Sequence, residues 1–599
     1  MLELEELSLQ VPQGGEEVIL LSEISAHFPN RHFAAVVGPS GCGKSTLLKT
    51  IAGLREATAG HVRWDRIDLA EEDMDPHEIG YVPQFSIAYE LLTARESIQI
   101  ALGLRMRDNA GESNEARVTR ILSDVGLEDI ADRRVQLLSG GQRRRLALAL
   151  EIVSSPHLLL CDEATSGLDP KAEDEIVRLM HQLSRSHDRI VLSVTHSLRH
   201  LGLYDSVLVL DRGHLAYHGP PETLLHYFNV ELPDELFARL SARKPDEWHS
   251  SWQKHRAAYE KLIEPEEPEE NPGASEPVNA GVDSTDPQAL TAPADAASPA
   301  AATVQEKQRT PATPQTPSAL TQLGILLRRR ATLFFRDRGQ LVLQVALLLG
   351  FPCLVVVFAL DGLPTLKSLA QDPTKNFWLQ LAADAAQRTE QVRIGSLVSG
   401  LIMFQVILLA LMGCNNAARE IAGERLIFEK EKFAGLRPIA YVASKAIFLC
   451  GIVLAQSLWM GVFVNAIVRF PGDLVTQLLL LILVNGALAA VCLAISSMMR
   501  NTEQASLTSI YLVGFQLPLS GAVLALPTAL NAFTRPFIAS YWGWSGFIQT
   551  VRETRFYDAI QLVSQTRLAP ASLCVWALGI HIVVGLLVAY IGCKSSRWD

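Results

Sequence analysis

Cysteine is scarce in this 599-residue sequence, and the usual marks of a secreted protein are missing. The eight cysteines show no paired spacing, so we expect neither a disulfide framework nor a cysteine-based metal site. The first ten residues lack a basic start and an apolar run, which argues against a signal peptide. We therefore expect the N-terminal part of the chain to stay in the cytoplasm.

Basic residues are absent from a long stretch in the middle of the chain. Residues 262–306 contain ten Asp and Glu but no Lys or Arg, and they account for most of the net charge of −11. The net negative charge of the chain is therefore concentrated in one segment and does not indicate an acidic binding surface. No nucleic-acid partner is expected on this basis.

Large apolar side chains are also rare in this region. Residues 264–318 are rich in Pro, Ala, Ser, Thr and Glu, and such a segment cannot bury enough apolar surface to offset its chain entropy. We predict a disordered linker, and the alternative is a Pro-rich ligand for a docking domain. The linker divides the chain into two parts of different composition.

The part before the linker has the pattern of an α/β domain. Residues 1–230 alternate short β-branched runs with amphipathic stretches, which indicates a sheet covered by helices. Residues 231–263 are interpreted as a helical extension of this domain. The predicted strands are Ala34–Val37, Ile79–Val82, Leu158–Cys161, Ile190–Val194 and Val207–Leu210.

The part after the linker, residues 339–599, has the pattern of an all-α membrane domain with six spans. Each predicted span reaches the ~20 apolar residues that cross a bilayer. The six windows are 341–360, 394–418, 446–468, 474–499, 504–534 and 568–593. Lys and Arg are more frequent on the flanks of the N-terminal side, which predicts that both termini of this multi-pass protein are cytoplasmic, in the plasma (inner) membrane.

Two shorter segments accompany these spans. Residues 319–338 are basic and amphipathic, so we predict a connecting helix on the cytoplasmic membrane face. Residues 536–551 are apolar and aromatic but too short to span, which favours an interfacial or re-entrant element.

A phosphate-binding motif follows the first predicted strand. The motif GxxxxGK[ST] lets backbone N–H groups surround phosphates, while its lysine neutralises β/γ charge and its hydroxyl holds Mg²⁺. Here Lys44 and Ser45 take these two roles. The residues are Gly38, Pro39, Ser40, Gly41, Cys42, Gly43, Lys44, Ser45 and Thr46.

Two further motifs fit the same chemistry. The apolar strand HLLLC ends in Asp162, placed to bind Mg²⁺ through water, and Glu163, placed to polarise the attacking water. The LSGGQ sequence precedes an Arg- and Leu-rich helix, where a serine can cap the helix and contact a phosphate. Its residues are Ser139, Gly140, Gly141 and Gln142.

This set of motifs, in this order, resembles the ATP-binding-cassette (ABC) superfamily over nearly all of residues 1–225. The resemblance implies an ATPase that uses ATP and Mg²⁺. It implies Gln84 as the lid glutamine, which meets Mg²⁺ and the membrane domain, His196 as the switch histidine at the γ-phosphate, and Asp169 in communication across a dimer. It also implies that the ATP lies between the P-loop of one domain and the LSGGQ signature of another. No aromatic residue is available to stack on adenine, which must rest on aliphatic groups such as Val11 or Val18.

The order of ATPase and membrane domains resembles the G subfamily of half transporters. The similar segments are LTARESIQIALGLR, GERLIFEKEKFAGLRPIAYVASK and ASYWGWSGFIQTVRETRF. The resemblance implies a homodimer or a heterodimer with a second half transporter, and coupling through Glu424 and Glu431. Departures from the group, among them Lys430 where Arg is usual and Gln142 where Glu is usual, indicate a bacterial relative and argue against drug-like substrates.

Two functions are therefore in competition. The first is ATP-driven export of a hydrophobic or amphipathic substrate across the lipid bilayer by an ABC half transporter. The second is a membrane-anchored ABC ATPase that acts on a partner protein without transporting a solute. An importer is disfavoured because the predicted outer side offers no large loop to dock a binding protein.

The composition of the linker leads to a first prediction. Deletion of residues 270–305 removes no packed surface on this interpretation and changes only the reach between the domains. We expect the variant to insert into membranes and to hydrolyse ATP at a rate close to that of the unaltered protein. If the variant failed to insert into membranes, or was no longer monodisperse after purification, the segment would be structured.

Overall fold

The computed structural model describes residues 1–13, 15–65, 67–69, 71, 74–107, 113–263, 316–360, 377–523, 527–564 and 566–598. The predicted linker lies outside the described residues except for 316–318. Ser318 in this short piece caps the helix that follows, since its side chain accepts a hydrogen bond from the backbone N–H of Thr321.

Ten strands form one sheet in the N-terminal part. They are β1 (Leu2–Gln13), β2 (Glu16–Phe28), β3 (Phe33–Val37), β4 (Ala59–Trp64), β5 (Ile67–Asp68), β6 (Ile79–Val82), β7 (Leu158–Cys161), β8 (Ile190–Val194), β9 (Ser206–Asp211) and β10 (His214–Gly219). Their order is β5-β4-β1-β2-β10-β9-β3-β8-β7-β6. The five predicted strands are confirmed, and the five others escaped prediction because they are not continuous apolar runs.

The sheet has a parallel and an antiparallel part. Strands β6, β7, β8, β3 and β9 pair in parallel, whereas β1, β2, β4 and β5 pair antiparallel. Every residue of β3, β7 and β8 is buried, as expected for parallel strands that are covered on both faces. The covering helices are α1 (Lys44–Ile51), α2 (Ala94–Arg105), α3 (Asn114–Asp124), α4 (Gly140–Ile152), α5 (Pro170–Arg185), α6 (Pro221–Phe228), α7 (Leu236–Ser241) and α8 (Pro245–Glu260).

In the described residues after 263, all elements are helical. They are α9 (Ala319–Arg336), α10 (Arg338–Leu360), α11 (Phe377–Ala417), α12 (Arg425–Phe433), α13 (Pro438–Val468), α14 (Leu474–Met498), α15 (Thr502–Leu519), α16 (Thr528–Thr534), α17 (Ala539–Gln549), α18 (Arg555–Val563) and α19 (Ala571–Ser595). Within the described ranges, five helical segments are long and apolar enough to cross a membrane. These are Arg338–Leu360, Gln391–Phe433, Pro438–Val468, Leu474–Met498 and Ala571–Ser595.

The predicted fifth span, 504–534, is not one continuous helix. Helix α15 ends at Leu519 after 18 residues, a length of about 27 Å against the ~30 Å of a hydrocarbon core. Pro518 lies in its last turn and has no N–H for the helical ladder, and Gly521 then takes a left-handed φ of 74°. The chain turns where the prediction continued it, so the fifth predicted span is corrected to a shorter helix.

The aromatic segment 536–551 is an interior element of the helical domain. It forms α17, in which Tyr541, Trp544 and Phe547 are buried. The indole Nε1–H of Trp544 donates a hydrogen bond of 3.2 Å to Ser399 Oγ on α11. Of the two predicted alternatives, interfacial and re-entrant, this burial favours the second.

Three buried amides connect α10, α11 and α13 in a closed ring. Gln344 Nε2 donates to Asn416 Oδ1 at 2.7 Å, Asn416 Nδ2 donates to Gln456 Oε1 at 2.8 Å, and Gln456 Nε2 donates to Gln344 Oε1 at 2.9 Å. Each side chain gives one hydrogen bond and accepts one. Polar side chains that pair in this way hold apolar helices together in an environment without water.

The predicted connecting helix is α9, and it is more buried than a helix on a membrane surface. Gln322, which is fully buried, donates hydrogen bonds to the carbonyl oxygens of Leu104 in α2 and Gly435 after α12. At the other end, Arg336 forms two hydrogen bonds of 2.6 and 2.7 Å with Glu96 at the start of α2. Helix α9 therefore lies between the two parts of the molecule and contacts both.

Candidate nucleotide site and its connection to the membrane domain

The predicted site residues meet at one edge of the sheet because their strands are parallel. The P-loop follows β3, Gln84 follows β6, Asp162 and Glu163 follow β7, and His196 follows β8. Parallel strands bring their carboxyl ends to the same edge, which is the usual position of ligand sites in α/β sheets. The structure thus brings these residues together.

The P-loop wraps closely against its surroundings. Gly43 has a φ of 104°, and a Cβ on it would lie 2.8 Å from the carbonyl oxygen of Leu20 in β2. Glycine is therefore required there by conformation and by space. Lys44 Nζ donates to the carbonyl oxygens of Gly38 and Pro39, both at 2.9 Å. The ammonium group is held across the loop, where it can meet phosphate oxygens.

Ser45 and Asp162 form the oxygen-rich part of the site. Ser45 Oγ donates to Asp162 Oδ1 at 2.8 Å, and Tyr81 Oη donates to Asp162 Oδ2 at 3.1 Å. Burial raises the pKa of Asp162, and the two hydroxyl donors oppose this change only in part. A buried carboxylate beside a hydroxyl has the oxygen donors that Mg²⁺ prefers, so these side chains fit that ion.

Glu163 is in contact with both residues that the resemblance placed beside it. Gln84 Nε2 donates to Glu163 Oε2 at 2.7 Å, and His196 Nε2 lies 2.8 Å from Glu163 Oε1. Glu163 itself has a φ of 47°, which is uncommon for a residue other than glycine and is found at functional sites. The carboxylate is therefore oriented by a side chain from each neighbouring strand.

The LSGGQ signature caps α4. Ser139 Oγ accepts a hydrogen bond from the N–H of Gln142, and Gln142 Oε1 accepts one from the N–H of Ser139, which is a capping box. Gly140 and Gly141 lie in the first turn, and a cleft of about 410 Å³ lies beside them and Asp169. Asp169 caps α5 through hydrogen bonds from the N–H groups of Lys171 and Ala172. The residues that line this cleft do not include the P-loop.

The two valines expected to support adenine are neighbours. Val11 and Val18 are directly paired across β1 and β2, and both are half-buried. Strand β2 passes the P-loop at Leu20, two residues from Val18. The pair therefore offers an aliphatic surface close to the phosphate loop.

The two predicted coupling residues meet the ATPase domain at one tyrosine. Tyr89, five residues after Gln84, donates its hydroxyl to Glu424 Oε2 at 3.1 Å. The guanidinium of Arg329 lies 4.6 Å from the centre of the Tyr89 ring and forms an ion pair with Glu431 through both of its carboxylate oxygens. Glu424 also accepts a hydrogen bond of 2.6 Å from Lys445 Nζ.

A second connection was not predicted. Glu151, in the last turn of α4, is paired with Arg105 of α2 at 3.0 Å and with Lys430 of α12 at 2.8 Å. The side chains of Glu151 and Lys430 are 2% and 6% exposed. Burial alone would raise the pKa of Glu151, but Arg105 and Lys430 outweigh it and lower the pKa. A signal was present in the sequence, since Glu151 interrupts the apolar run LALALEIV.

These features define a P-loop ATPase joined to a helical membrane domain. A model of the ABC transporter family matches residues 21–166, and a model of the ABC-2 type transporter family matches residues 321–541. The ABC transporter ATP-binding/permease protein Rv1747 of Mycobacterium tuberculosis is 28% identical over 97% of this chain and 61% of its own length. The methionine import ATP-binding protein MetN of Pasteurella multocida is 33% identical over 40% of this chain and 75% of that protein.

The chain belongs to the ABC transporter family, and it has an ABC ATPase domain followed by a membrane domain. It spans 61% of the length of the mycobacterial relative. Among solved structures, a dimeric ATP-binding cassette in a post-hydrolysis state, bound to ADP and Pi, is 28% identical and covers 37% of this chain and 99% of its own, with a TM-score of 0.34.

The buried Glu151 cluster leads to a second prediction. Glu151→Ala should destabilise the protein by about 3–5 kcal/mol, because it leaves two buried cations without their partner. Lys430→Ala should cost less, since Arg105 still compensates the carboxylate. The measurement is the thermal unfolding of the purified full-length protein in detergent.

Arg178→Ala is the matched control, because Arg178 forms an exposed ion pair with Asp174 and its loss should change stability by about 0.5 kcal/mol or less. Equal unfolding temperatures for Glu151→Ala and Arg178→Ala would contradict the role assigned to the cluster.

Proposed function

We propose that this protein is an ABC half transporter that dimerises and uses ATP hydrolysis to export a hydrophobic or amphipathic substrate across the plasma membrane. The observation that carries the proposal is a pair of direct connections between the ATPase domain and the region of α12. Tyr89 bonds to Glu424, the N-cap residue of α12, and Glu151 pairs with Lys430 within that helix. An ATPase that merely shared a chain with membrane helices would not need buried ion pairs with them.

The chemistry follows from the residues at the sheet edge. The backbone of the P-loop and Lys44 would bind the phosphates of ATP. Ser45, Gln84 and Asp162 would hold Mg²⁺, which supplies positive charge to the β- and γ-phosphate oxygens. Glu163, oriented by Gln84 and His196, would accept a proton from the attacking water. His196 is exposed on one side and would reach the γ-phosphate.

Dimerisation is supported by the position of the signature. Ser139 and Asp169 line a cleft separate from the P-loop of the same chain. The helix N-terminus at Ser139 attracts anions, so it would meet the γ-phosphate of ATP held by a second chain. Either a second copy or another half transporter would complete the two sites.

The substrate class is supported by a cavity in the membrane domain. A cavity of about 910 Å³ lies between α10, α11, α15 and the Tyr89 segment. Its lining includes the apolar side chains of Leu347, Phe351 and Ile510 and the charged side chains of Arg330 and Glu420. Such a site suits a molecule with an apolar body and a polar end.

Export is proposed over import because the predicted outer side offers no large loop to dock a binding protein. The extent of the matches supports the fusion of an ATPase to a membrane domain. The methionine and sulfate/thiosulfate import ATP-binding proteins match at most 41% of this chain, whereas the ATP-binding/permease relative matches 97% of it. The ABC-2 type model covers residues 321–541 of the membrane domain.

The site geometry gives a third prediction. Glu163→Gln should lower the ATPase rate by about 10²-fold or more, because the general base is lost, while ATP still binds to the P-loop. The measurements are steady-state phosphate release and direct titration with ATP. A rate near that of the unaltered protein would show that Glu163 is not the base.

Coupling gives a fourth prediction. Glu431→Ala removes the partner of Arg329, a buried cation that lies against Tyr89. Because the carboxylate of Glu424 also interacts with Arg329, we expect ATP binding and membrane insertion to be retained. The stimulation of ATPase activity by amphipathic compounds or lipids in reconstituted vesicles should be lost. Stimulation by a protein alone would favour the second function, a membrane-anchored ATPase that acts on a partner.

Arg437→Ala is the control for Glu431→Ala, since Arg437 is exposed near the same helix. Lys432 is unsuitable as a control, because its ammonium group donates hydrogen bonds to three backbone carbonyl oxygens. Equal stimulation of Glu431→Ala and Arg437→Ala would count against the coupling role of Glu431.

A further inference from the structure

The segment that follows the last helix leaves the membrane domain and is held against the ATPase domain. Lys432 Nζ donates to the carbonyl oxygens of Cys593, Lys594 and Ser596, at 3.2, 2.6 and 2.7 Å. Ser596 Oγ donates to Glu429 of α12. The end of α19 is thereby tied to the same short helix that carries Lys430 and Glu431.

Two residues further on, Trp598 enters the core of the ATPase domain. Its side chain is buried, with 8% exposure. The indole ring lies 5.3 Å from the Tyr81 ring, edge-on at 81°, and 6.0 Å from the ring of Phe433 in α12. Edge-to-face contacts of this kind fix the orientation of both rings.

Tyr81 is in direct contact with the nucleotide site. It is 2% exposed, and its hydroxyl donates to Asp162 Oδ2 at 3.1 Å. Ser45 occupies the other oxygen of the same carboxylate. Burial raises the pKa of Tyr81 far above its usual value, so the hydroxyl remains a donor throughout the physiological range. Tyr81 and Ser45 therefore each hold one oxygen of the Asp162 carboxylate.

We propose that Trp598 is a positioning residue for ATP hydrolysis: it holds Tyr81 so that the tyrosine hydroxyl orients Asp162 for metal-nucleotide binding. The segment after the last helix of the membrane domain thus helps to hold the ATPase site, through the contact of Trp598 with Tyr81. This inference rests on the proposed function, in which Asp162 holds Mg²⁺.

The geometry favours this role over simple anchoring. An anchor would need only apolar contact, which Phe433 already gives on the α12 side. Trp598 instead packs against Tyr81, whose hydroxyl donates to Asp162. Groups that orient a metal ligand through a hydrogen bond alter metal affinity when they are removed, commonly by about 10–100-fold.

The test uses the full-length protein in lipid nanodiscs and measures metal binding without turnover. Mn²⁺ replaces Mg²⁺ as the probe, in the presence of a non-hydrolysable ATP analogue, and free Mn²⁺ is followed by electron paramagnetic resonance. We expect Trp598→Ala to raise the dissociation constant for Mn²⁺ about tenfold, Tyr81→Phe to do the same, and Trp598→Phe to restore most of the affinity.

Two further variants make the outcomes distinct. Arg597→Ala, which removes an exposed ion pair with Glu56, should leave Mn²⁺ affinity unchanged. Asp162→Asn should abolish nucleotide-dependent Mn²⁺ binding. If Trp598→Ala binds Mn²⁺ like Arg597→Ala while Asp162→Asn does not bind it, the positioning role is overturned and the proposed function stands.

If Asp162→Asn retains Mn²⁺ binding, the proposed metal site itself is wrong. Should Trp598→Ala fail to fold, Tyr81→Phe, which removes a single oxygen, gives the same comparison. Unchanged affinity in Tyr81→Phe would then overturn the inference.

Discussion

The carboxylate of Glu151 is the charge on which the arrangement of the two domains depends. It has almost no access to water, so its charge must be compensated by protein groups. One cation, Arg105, comes from the ATPase domain, and the other, Lys430, comes from the membrane domain. Moving the domains apart would leave Lys430 without its partner and would leave Glu151 with only one of its two compensating cations. The docked arrangement is therefore favoured by the electrostatics of a single buried group as well as by apolar contact.

The same residue lies at one end of a rigid element whose other end is the signature. Ser139 caps α4 and Glu151 lies in its last turn, about 18 Å away along the helix axis. On the proposed function, movement of Ser139 toward a γ-phosphate would carry Glu151 and Lys430 with it. A second route starts at Gln84, beside Glu163, and reaches Arg329 and Glu424 through Tyr89. The first route ends at Lys430 within α12, and the second reaches Glu424, the N-cap residue of the same helix. On the proposed function, this nine-residue helix would receive movements of the nucleotide site by both routes.

The sequence predicted local patterns well and long-range pairings poorly. The P-loop, the carboxylates after β7 and the capped signature could be recognised because each is a short motif with a fixed backbone geometry. The length of α15 was missed because residues 504–534 carry no charged side chain, and only the placement of Pro518 and Gly521 ends the helix. Trp598 and Tyr81 lie about 500 residues apart, and no periodicity connects them. Lys430 could not be predicted as the partner of Glu151 for the same reason. An acidic residue in an apolar run indicated only that a partner exists.

The ring of Gln344, Asn416 and Gln456 has a consequence for how this membrane domain can diverge. Each amide uses one donor and one acceptor of its neighbours, so the exchange of a single member for an apolar residue leaves two buried groups without their hydrogen-bond partners. The exchange of all three for apolar residues of similar volume leaves none. Mutational drift at these positions is therefore expected to proceed in concerted steps, and related sequences should carry either the complete amide triplet or an entirely apolar one.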